Sequence, residues 1–238
     1  VVEAGKNAII DTVFGGGNGV SVSDVVTVLL NCGNNTDYYV GTIFGGNNRD
    51  DMNNCVPTID LKSGKVYTVY GGGNAGNMNE KKTFPVACGE DLENVSTRIV
   101  VNSAAAAIDT IYGGCNMSDV AGMAYIDIRQ TSPEGIGWVF GGNNVSGSVS
   151  GNTRIDVNGG VVHNIYGGSN GYYDYRYIGG EGYSVYSYGH LNDPSYLIAT
   201  QTSGVPEVSY AQVNIFGGTV DNNVYGGGRM GDCDSTLV

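Results

Sequence analysis

Apolar and polar residues alternate along Thr153-Arg154-Ile155-Asp156-Val157-Asn158, with Ile155 and Val157 pointing one way and Arg154, Asp156 and Asn158 the other. That period of two is the signature of a strand buried on one face. Gly159-Gly160 then turns the chain into a second apolar run, Val161 to Tyr166, and Gly167-Gly168 turns it again. Glycine suits such turns because it reaches positive φ without steric cost. Thr58-Ile59-Asp60-Leu61-Lys62-Ser63-Gly64 and Tyr125-Ile126-Asp127-Ile128 repeat the first half of the pattern. No stretch keeps an apolar period of 3.6, so an all-β chain with almost no helix is predicted.

The second half of the pattern recurs as a β-branched residue, an aromatic and two glycines. Eight copies carry their aromatics at Phe14, Phe44, Tyr70, Tyr112, Phe140, Tyr166, Phe216 and Tyr225, at steps of 30, 26, 42, 28, 26, 50 and 9 residues. Periods of this size belong to repeat architectures. About three short strands with their turns fit one repeat of 26–30 residues, given strands of about 5–6 residues. The expected fold is therefore a single-stranded parallel β-helix (a β-solenoid) of about eight coils. The usual hand of parallel connections makes it right-handed. It is read as one domain over residues 1–238, with an insertion lengthening the step after Tyr166. The chain starts inside a strand-like segment, which suggests a piece of a longer polypeptide.

Six copies place an asparagine four residues after the aromatic: Asn18, Asn48, Asn74, Asn116, Asn144 and Asn170. Equivalent side chains in stacked strands lie about 4.8 Å apart, a spacing at which amides hydrogen-bond into a ladder. The last two copies have Val220 and Arg229 there, which ends the ladder. The aromatics, aligned in every repeat, read as core or flank packing.

Composition narrows the function. The 40 glycines and 14% charged residues resemble a disordered chain, but the Val/Ile periodicity argues against disorder. A net charge of −12, from 11 basic and 23 acidic residues, disfavours nucleic acid and anionic lipid as partners. No apolar run approaches the roughly 20 residues of a spanning helix, so no membrane insertion is expected. The cysteines (Cys32, Cys55, Cys88, Cys115 and Cys233) contain no CxxC pair, and only His163 and His190 accompany them, which disfavours zinc. Cys115 stands at a turn position held elsewhere by Gly, Asn or Ser, as a small residue. Cys32, Cys55 and Cys88 could form cross-coil disulfides in an oxidising compartment.

Three groups of residues carry candidate chemistry. Residues 171–196 form a tyrosine-rich lateral insertion in which Tyr172, Tyr173, Tyr175, Arg176, Tyr177, Tyr183, Tyr186 and Tyr188 could stack on sugar faces and bind hydroxyls. Covering a flank of the stack or joining subunits would use the same residues. Asp60, Asp127 and Asp156 recur at outward strand positions; Asp127 and Asp156, on successive repeats, would be the acid pair of a glycan-cleaving enzyme, against an ordinary polar face. Asp50, Asp51, Asp232 and Asp234 offer oxygens to calcium, although the nine-residue calcium repeat is not met. No other cofactor is expected.

The wording Thr153 to Gly160 followed by Asn164-Ile165-Tyr166-Gly167-Gly168 resembles a Gly-Gly repeat of large secreted, adhesin-like surface proteins of gut bacteria. Those proteins look like members of the pectin-lyase-like parallel β-helix group. The resemblance covers roughly residues 9 to 228. It implies a cell-surface or extracellular location and a non-catalytic adhesin-like or structural role. The partner would be a glycan, or a surface protein of host or bacterium, with self-association as a further option. No catalytic residues carry over from the group. The alternatives are a polysaccharide lyase or hydrolase on the same fold, and a structural stalk that binds nothing.

Overall fold

Short β-branched runs separated by glycine turns form strands throughout, in a computed structural model that describes residues 8–20, 22, 24–31, 39–85, 91–171 and 205–238, with backbone alone for three short strands between 174 and 200. In chain order they are β1 (Ile9–Phe14), β2 (Thr27–Leu30), β3 (Tyr39–Phe44), β4 (Thr58–Leu61), β5 (Gly64–Tyr70) and β6 (Lys82–Pro85). Next come β7 (Asp91–Asn102), β8 (Ala106–Tyr112), β9 (Met123–Gln130), β10 (Ile136–Phe140), β11 (Ser148–Val157) and β12 (Val161–Tyr166). The last six are β13 (Asp174–Tyr177), β14 (Tyr183–Ser184), β15 (Tyr196–Thr200), β16 (Glu207–Ile215), β17 (Thr219–Tyr225) and β18 (Asp232–Leu237). No helix occurs among the described residues, so none is long and apolar enough to cross a membrane.

The strands gather into two parallel sheets. One has seven strands in the order β1-β3-β5-β8-β10-β12-β17. The other has eight, ordered β18-β16-β11-β9-β7-β4-β2, with β6 added antiparallel on β7. β13, β14 and β15 form a small antiparallel sheet of their own. This topology corrects the right-handed, single-stranded β-helix of about eight coils. In place of three strands per repeat, the chain supplies one strand to each of two parallel sheets packed face to face. Beyond them, isolated parallel bridges join Met52 to Met78, Met78 to Val120, and Val120 to Val149 on β11.

The count also falls to seven, because the phrase at Ile215-Phe216-Gly217-Gly218 is not a copy of the others. Ile215 ends β16 and pairs with Val157, so these residues match Val157-Asn158-Gly159-Gly160 in the eight-stranded sheet. Phe216 is 60% exposed and stacks on no ring of the aromatic row.

Between the sheets, Ile59, Ile99, Ile126, Ile155 and Val213 join Ile43, Val69, Ile111, Val139 and Ile165 in one apolar core. Each such side chain contributes roughly 1.5–3 kcal/mol through burial. At the end of the seven-stranded sheet, Phe14, Phe44, Tyr70, Tyr112, Phe140, Tyr166 and Tyr225 stack ring on ring at 4.6–5.0 Å, within 16° of parallel. The asparagine ladder beside it forms as expected. Each Nδ2 donates to the Oδ1 one layer earlier, from Asn170 through Asn144, Asn116, Asn74 and Asn48 to Asn18, at 2.6–3.0 Å.

Glycine is needed in the phrase for a different reason from the one expected. Gly160 does turn the chain at φ +82°, but neither Gly167 nor Gly168 is left-handed. A Cβ at the first glycine of each pair from Gly15 to Gly167 would lie closer than 3.0 Å to the carbonyl oxygen of the matching glycine one layer on, as at Gly71 against Gly113 and Gly113 against Gly141. At the second, it would strike the side chain of the next layer: Asn47 at Gly16, Cys115 at Gly72, Asn143 at Gly114 and Ser169 at Gly142. Cys115 is accordingly a buried turn residue. Its thiol is free, as are those of Cys55 and Cys233, so Cys55 forms no cross-layer disulfide; Cys32 and Cys88 lie outside the described residues.

Close approach makes a direct prediction. Gly113→Ala should destabilise the fold by about 2–3 kcal/mol, since backbone on the neighbouring layer must move. Gly19→Ala, where nothing lies within 4 Å, should stay within about 0.5 kcal/mol of wild type. Denaturant midpoints of the two variants separate close approach from a general dislike of side chains in these turns.

Candidate functional site

The outer face of the eight-stranded sheet carries the acidic row. Along it Asp60 pairs with Val100, Val100 with Asp127, Asp127 with Asp156 and Asp156 with Asn214. Asp127 and Asp156 are therefore true neighbours, while Asp60 is set apart by Val100. Both neighbours are nearly sealed, at 1% and 3% exposure.

Each carboxylate is matched by a cation two residues away on its own strand. Arg129 donates to Asp127 Oδ2 from Nε at 2.8 Å and from Nη2 at 2.7 Å. Arg154 Nε lies 2.9 and 3.1 Å from the two oxygens of Asp156. Asn158 donates to Asp127 Oδ1 at 3.0 Å; Asn214 and the Tyr125 hydroxyl donate to Asp156 at 2.7 and 3.1 Å. Burial, then the charges of Asp127 and Asp156, pushes the Tyr125 phenol up, so it stays a donor. The hydrogen bond to Asp127 likewise pushes the Arg129 guanidinium up. The result is a closed network of ion pairs and amide bonds, the arrangement that makes a buried charge tolerable.

The seven-stranded sheet presents a more open feature. Three residues before each of the first six stacked aromatics, the chain carries Asp11, Gly41, Tyr67, Asp109, Gly137 and His163. This row faces outward, and the glycines at 41 and 137 leave dips between larger side chains. A groove of about 370 Å³ runs there, lined by Tyr39, Lys65, Tyr67, Asp109, Glu134 and His163. Tyr67 is 58% exposed and offers a ring face. His163 Nδ1 lies 2.7 Å from Asp221 Oδ1 on β17, and its Nε2 lies 2.9 Å from the Glu134 carbonyl. The hydrogen bond to Asp221 raises its pKa. The repeat phrase drew attention to its constant positions and hid this row; reading the variable position at aromatic minus three would have found it.

Of the expected binding residues, Tyr175, Arg176 and Tyr177 lie on β13 and Tyr183 on β14, where the backbone is antiparallel. Tyr172, Tyr173, Tyr186 and Tyr188 lie outside the described residues. The calcium candidates are not gathered: no group of three or more His, Cys, Asp or Glu placed to hold a metal occurs among the described residues. Asp51 instead ties layers together, accepting from the Asn77 amide at 2.9 Å and from Asn79 Nδ2 at 3.4 Å. Asp232 and Asp234 stand on β18, beside Glu207, in an open polar groove of about 430 Å³.

Two outcomes are expected here. Asp156→Ala strands Arg154 and leaves Asn214 and Tyr125 without their acceptor, and should cost about 3–5 kcal/mol in denaturant unfolding; Asp156→Asn, which keeps the shape, should cost less. For His163 the folded pKa is raised. Its stabilising contact is therefore complete below the unfolded value near 6.5 and is lost as pH rises through the folded pKa. The melting-temperature gap between wild type and His163→Ala should shrink steadily from acid to alkaline pH. A pH-independent gap would assign His163 a packing role only.

No family model matches the chain, and no curated protein or solved structure is found to be similar to it, so its function must be argued from the two faces themselves.

Proposed function

We propose that this chain is a non-catalytic, adhesin-like scaffold of the cell surface or extracellular space. Its lateral surface takes an extracellular glycan, with the groove on the seven-stranded sheet as the primary contact. The observation that carries this reading is the composition of the groove. Exposed Tyr67 offers a flat ring, while Lys65, Asp109 and Glu134 set donors and acceptors around it within about 370 Å³. A sugar presents an apolar face and a rim of hydroxyls, and that combination needs one stacking surface with polar groups beside it. The row stands on paired strands tied by the ladders, which favours a preformed site. The tyrosines of residues 171–196 extend the same chemistry. The resemblance of the Gly-Gly phrase to adhesin-like surface repeats supports the location.

Binding to an array of host and plant glycans, read beside glycan release, tests the proposal. Wild type should bind without releasing product. Tyr67→Ala should lower affinity about tenfold, in line with losing an aromatic anchor. A variant lacking 171–196 separates a contribution of the tyrosine-rich segment from that of the groove. Binding unaffected by either change would sink the lateral-surface reading. Product release lost in Asp127→Asn would replace it with an enzyme.

A further inference from the structure

His163 stands where the wall of the groove meets the next strand, and its ring faces an acceptor on each side. Nδ1 lies 2.7 Å from Asp221 Oδ1 on β17, and Nε2 lies 2.9 Å from the main-chain carbonyl oxygen of Glu134. A carbonyl oxygen only accepts, and so does an ionised carboxylate. A neutral imidazole has one N–H and one lone pair, so it satisfies one of these contacts and turns a lone pair on the other. The arrangement therefore calls for two N–H donors, which the imidazolium supplies. With 35% of the His163 side chain and 44% of the Asp221 side chain exposed, the ring exchanges its proton directly with water.

The contact to Glu134 bears on the shape of the groove. Residues 131–135 lead from β9 to β10, and Glu134 and Gly135 line the groove. Ser132 N–H ties the start of this turn to Ala106 O on β8 at 3.0 Å, and Gly135 N–H closes it on Ser132 O at 3.0 Å. No backbone N–H of a described residue donates to Glu134 O. Among the described residues, His163 is what holds that carbonyl against β12. The charges around the ring are mostly negative. β17 presents Asp221, the turn presents Glu134, and β10 itself carries no ionisable side chain. Across the groove stand Asp109 on β8 and Lys65 on β5.

We propose that His163 is a pH-operated clamp on the groove: protonated, it joins the Glu134 wall to Asp221 on β17 and holds the groove in shape; deprotonated, it lets the wall go. The proton that leaves passes to water. The one that remains stays on Nδ1, because a hydrogen bond to a carboxylate is stronger than one to a neutral carbonyl. Nε2 then turns its lone pair toward the Glu134 oxygen, two acceptors at 2.9 Å, and the turn swings away. The hydrogen bond to Asp221 raises the folded pKa, so release falls on the alkaline side of the ordinary value near 6.5. The consequence for a ligand rests on the glycan reading of the groove; the clamp itself does not.

Nuclear magnetic resonance between about pH 6 and about pH 9, the region in which imidazole loses its charge, tests this on wild type and Asp221→Asn. Ring nitrogen signals report which nitrogen of His163 holds a proton. The residual dipolar coupling of the Gly135 N–H bond reports the orientation of the wall rather than the local charge. In wild type, Nε2 should lose its proton while Nδ1 keeps one, and the Gly135 coupling should change with the same midpoint, above about 6.5. Asp221→Asn offers an amide that donates as well as accepts, so a neutral ring can keep Nε2–H on Glu134 O. There the Gly135 coupling should stay constant. Glycans retained on the array at the lower pH should bind wild type about tenfold more weakly at the higher, as when most molecules leave the competent state; Asp221→Asn should show no such fall. A constant Gly135 coupling while the wild-type ring titrates overturns the clamp, as does the same pH-dependent change in both proteins. Unchanged glycan affinity across a wall movement overturns its control of binding and leaves the glycan reading standing. Absence of glycan binding at either pH removes that reading, and the Gly135 coupling still decides the clamp.

Discussion

Everything in this molecule is referred to one distance, the spacing of roughly 4.8 Å between hydrogen-bonded strands. Rings stacked at 4.6–5.0 Å satisfy that spacing and van der Waals contact together, so an aromatic can recur in every layer without strain. Asparagine amides separated by the same rise reach each other at 2.6–3.0 Å. The glycines follow from it too: where backbone stacks on backbone at a turn, no room remains for a Cβ. Aromatic pairs contribute about 0.5–1.5 kcal/mol beyond their burial, and a net amide bond about as much. Neither is large alone. Register makes them recur together, and a one-residue slip would lose all of them while turning the core outward.

The same constraint explains why the acidic row is balanced within each strand. Identical residues in register would bring like charges side by side, which is repulsive. The sequence answers with Arg129 beside Asp127 and Arg154 beside Asp156, and it places Val100 between Asp127 and Asp60. Asn158 and Asn214 then use the neighbouring layers to fill the remaining acceptor positions. A buried carboxylate is tolerable because the layers above and below are held still enough to supply donors.

Much of this was legible in the chain because a stacked repeat writes its contacts as identities. The six asparagines could be assigned to a ladder from their offset alone, and the ladder is there. Alternation in Thr153 to Asn158 gave the correct inward and outward residues. What failed had a physical cause in each case. The phrase at Ile215 to Gly218 has the right letters but lies in the other sheet, since both sheets end a strand at a Gly-Gly turn. The strand number per repeat was overestimated because a strand and a single bridging residue, such as Met78, consume chain alike. At Gly167-Gly168 the turn suggests a φ requirement, but the constraint is space, which local sequence does not carry. The groove is not legible in the repeat because it is made by residues that differ from layer to layer.

That last point bears on how such a chain can carry a function at all. Positions that face the next layer are fixed: the ring, the two glycines and the asparagine leave little freedom. Positions that face solvent are freer, and there the row reads Asp11, Gly41, Tyr67, Asp109, Gly137, His163, the two glycines being held by a neighbouring carbonyl that a Cβ would approach at 2.5 and 2.7 Å. Each step along the row is one strand spacing, so the sequence sets a pattern of ring, charge and gap on a ruled surface at intervals of about 4.8 Å. A change at Asp11, Tyr67, Asp109 or His163 alters the pattern without touching the ladders, whereas a change at a stacking position disturbs every layer that leans on it. The stack thus separates the residues that hold the fold from those that can define a ligand, and the variable row is where specificity can reside.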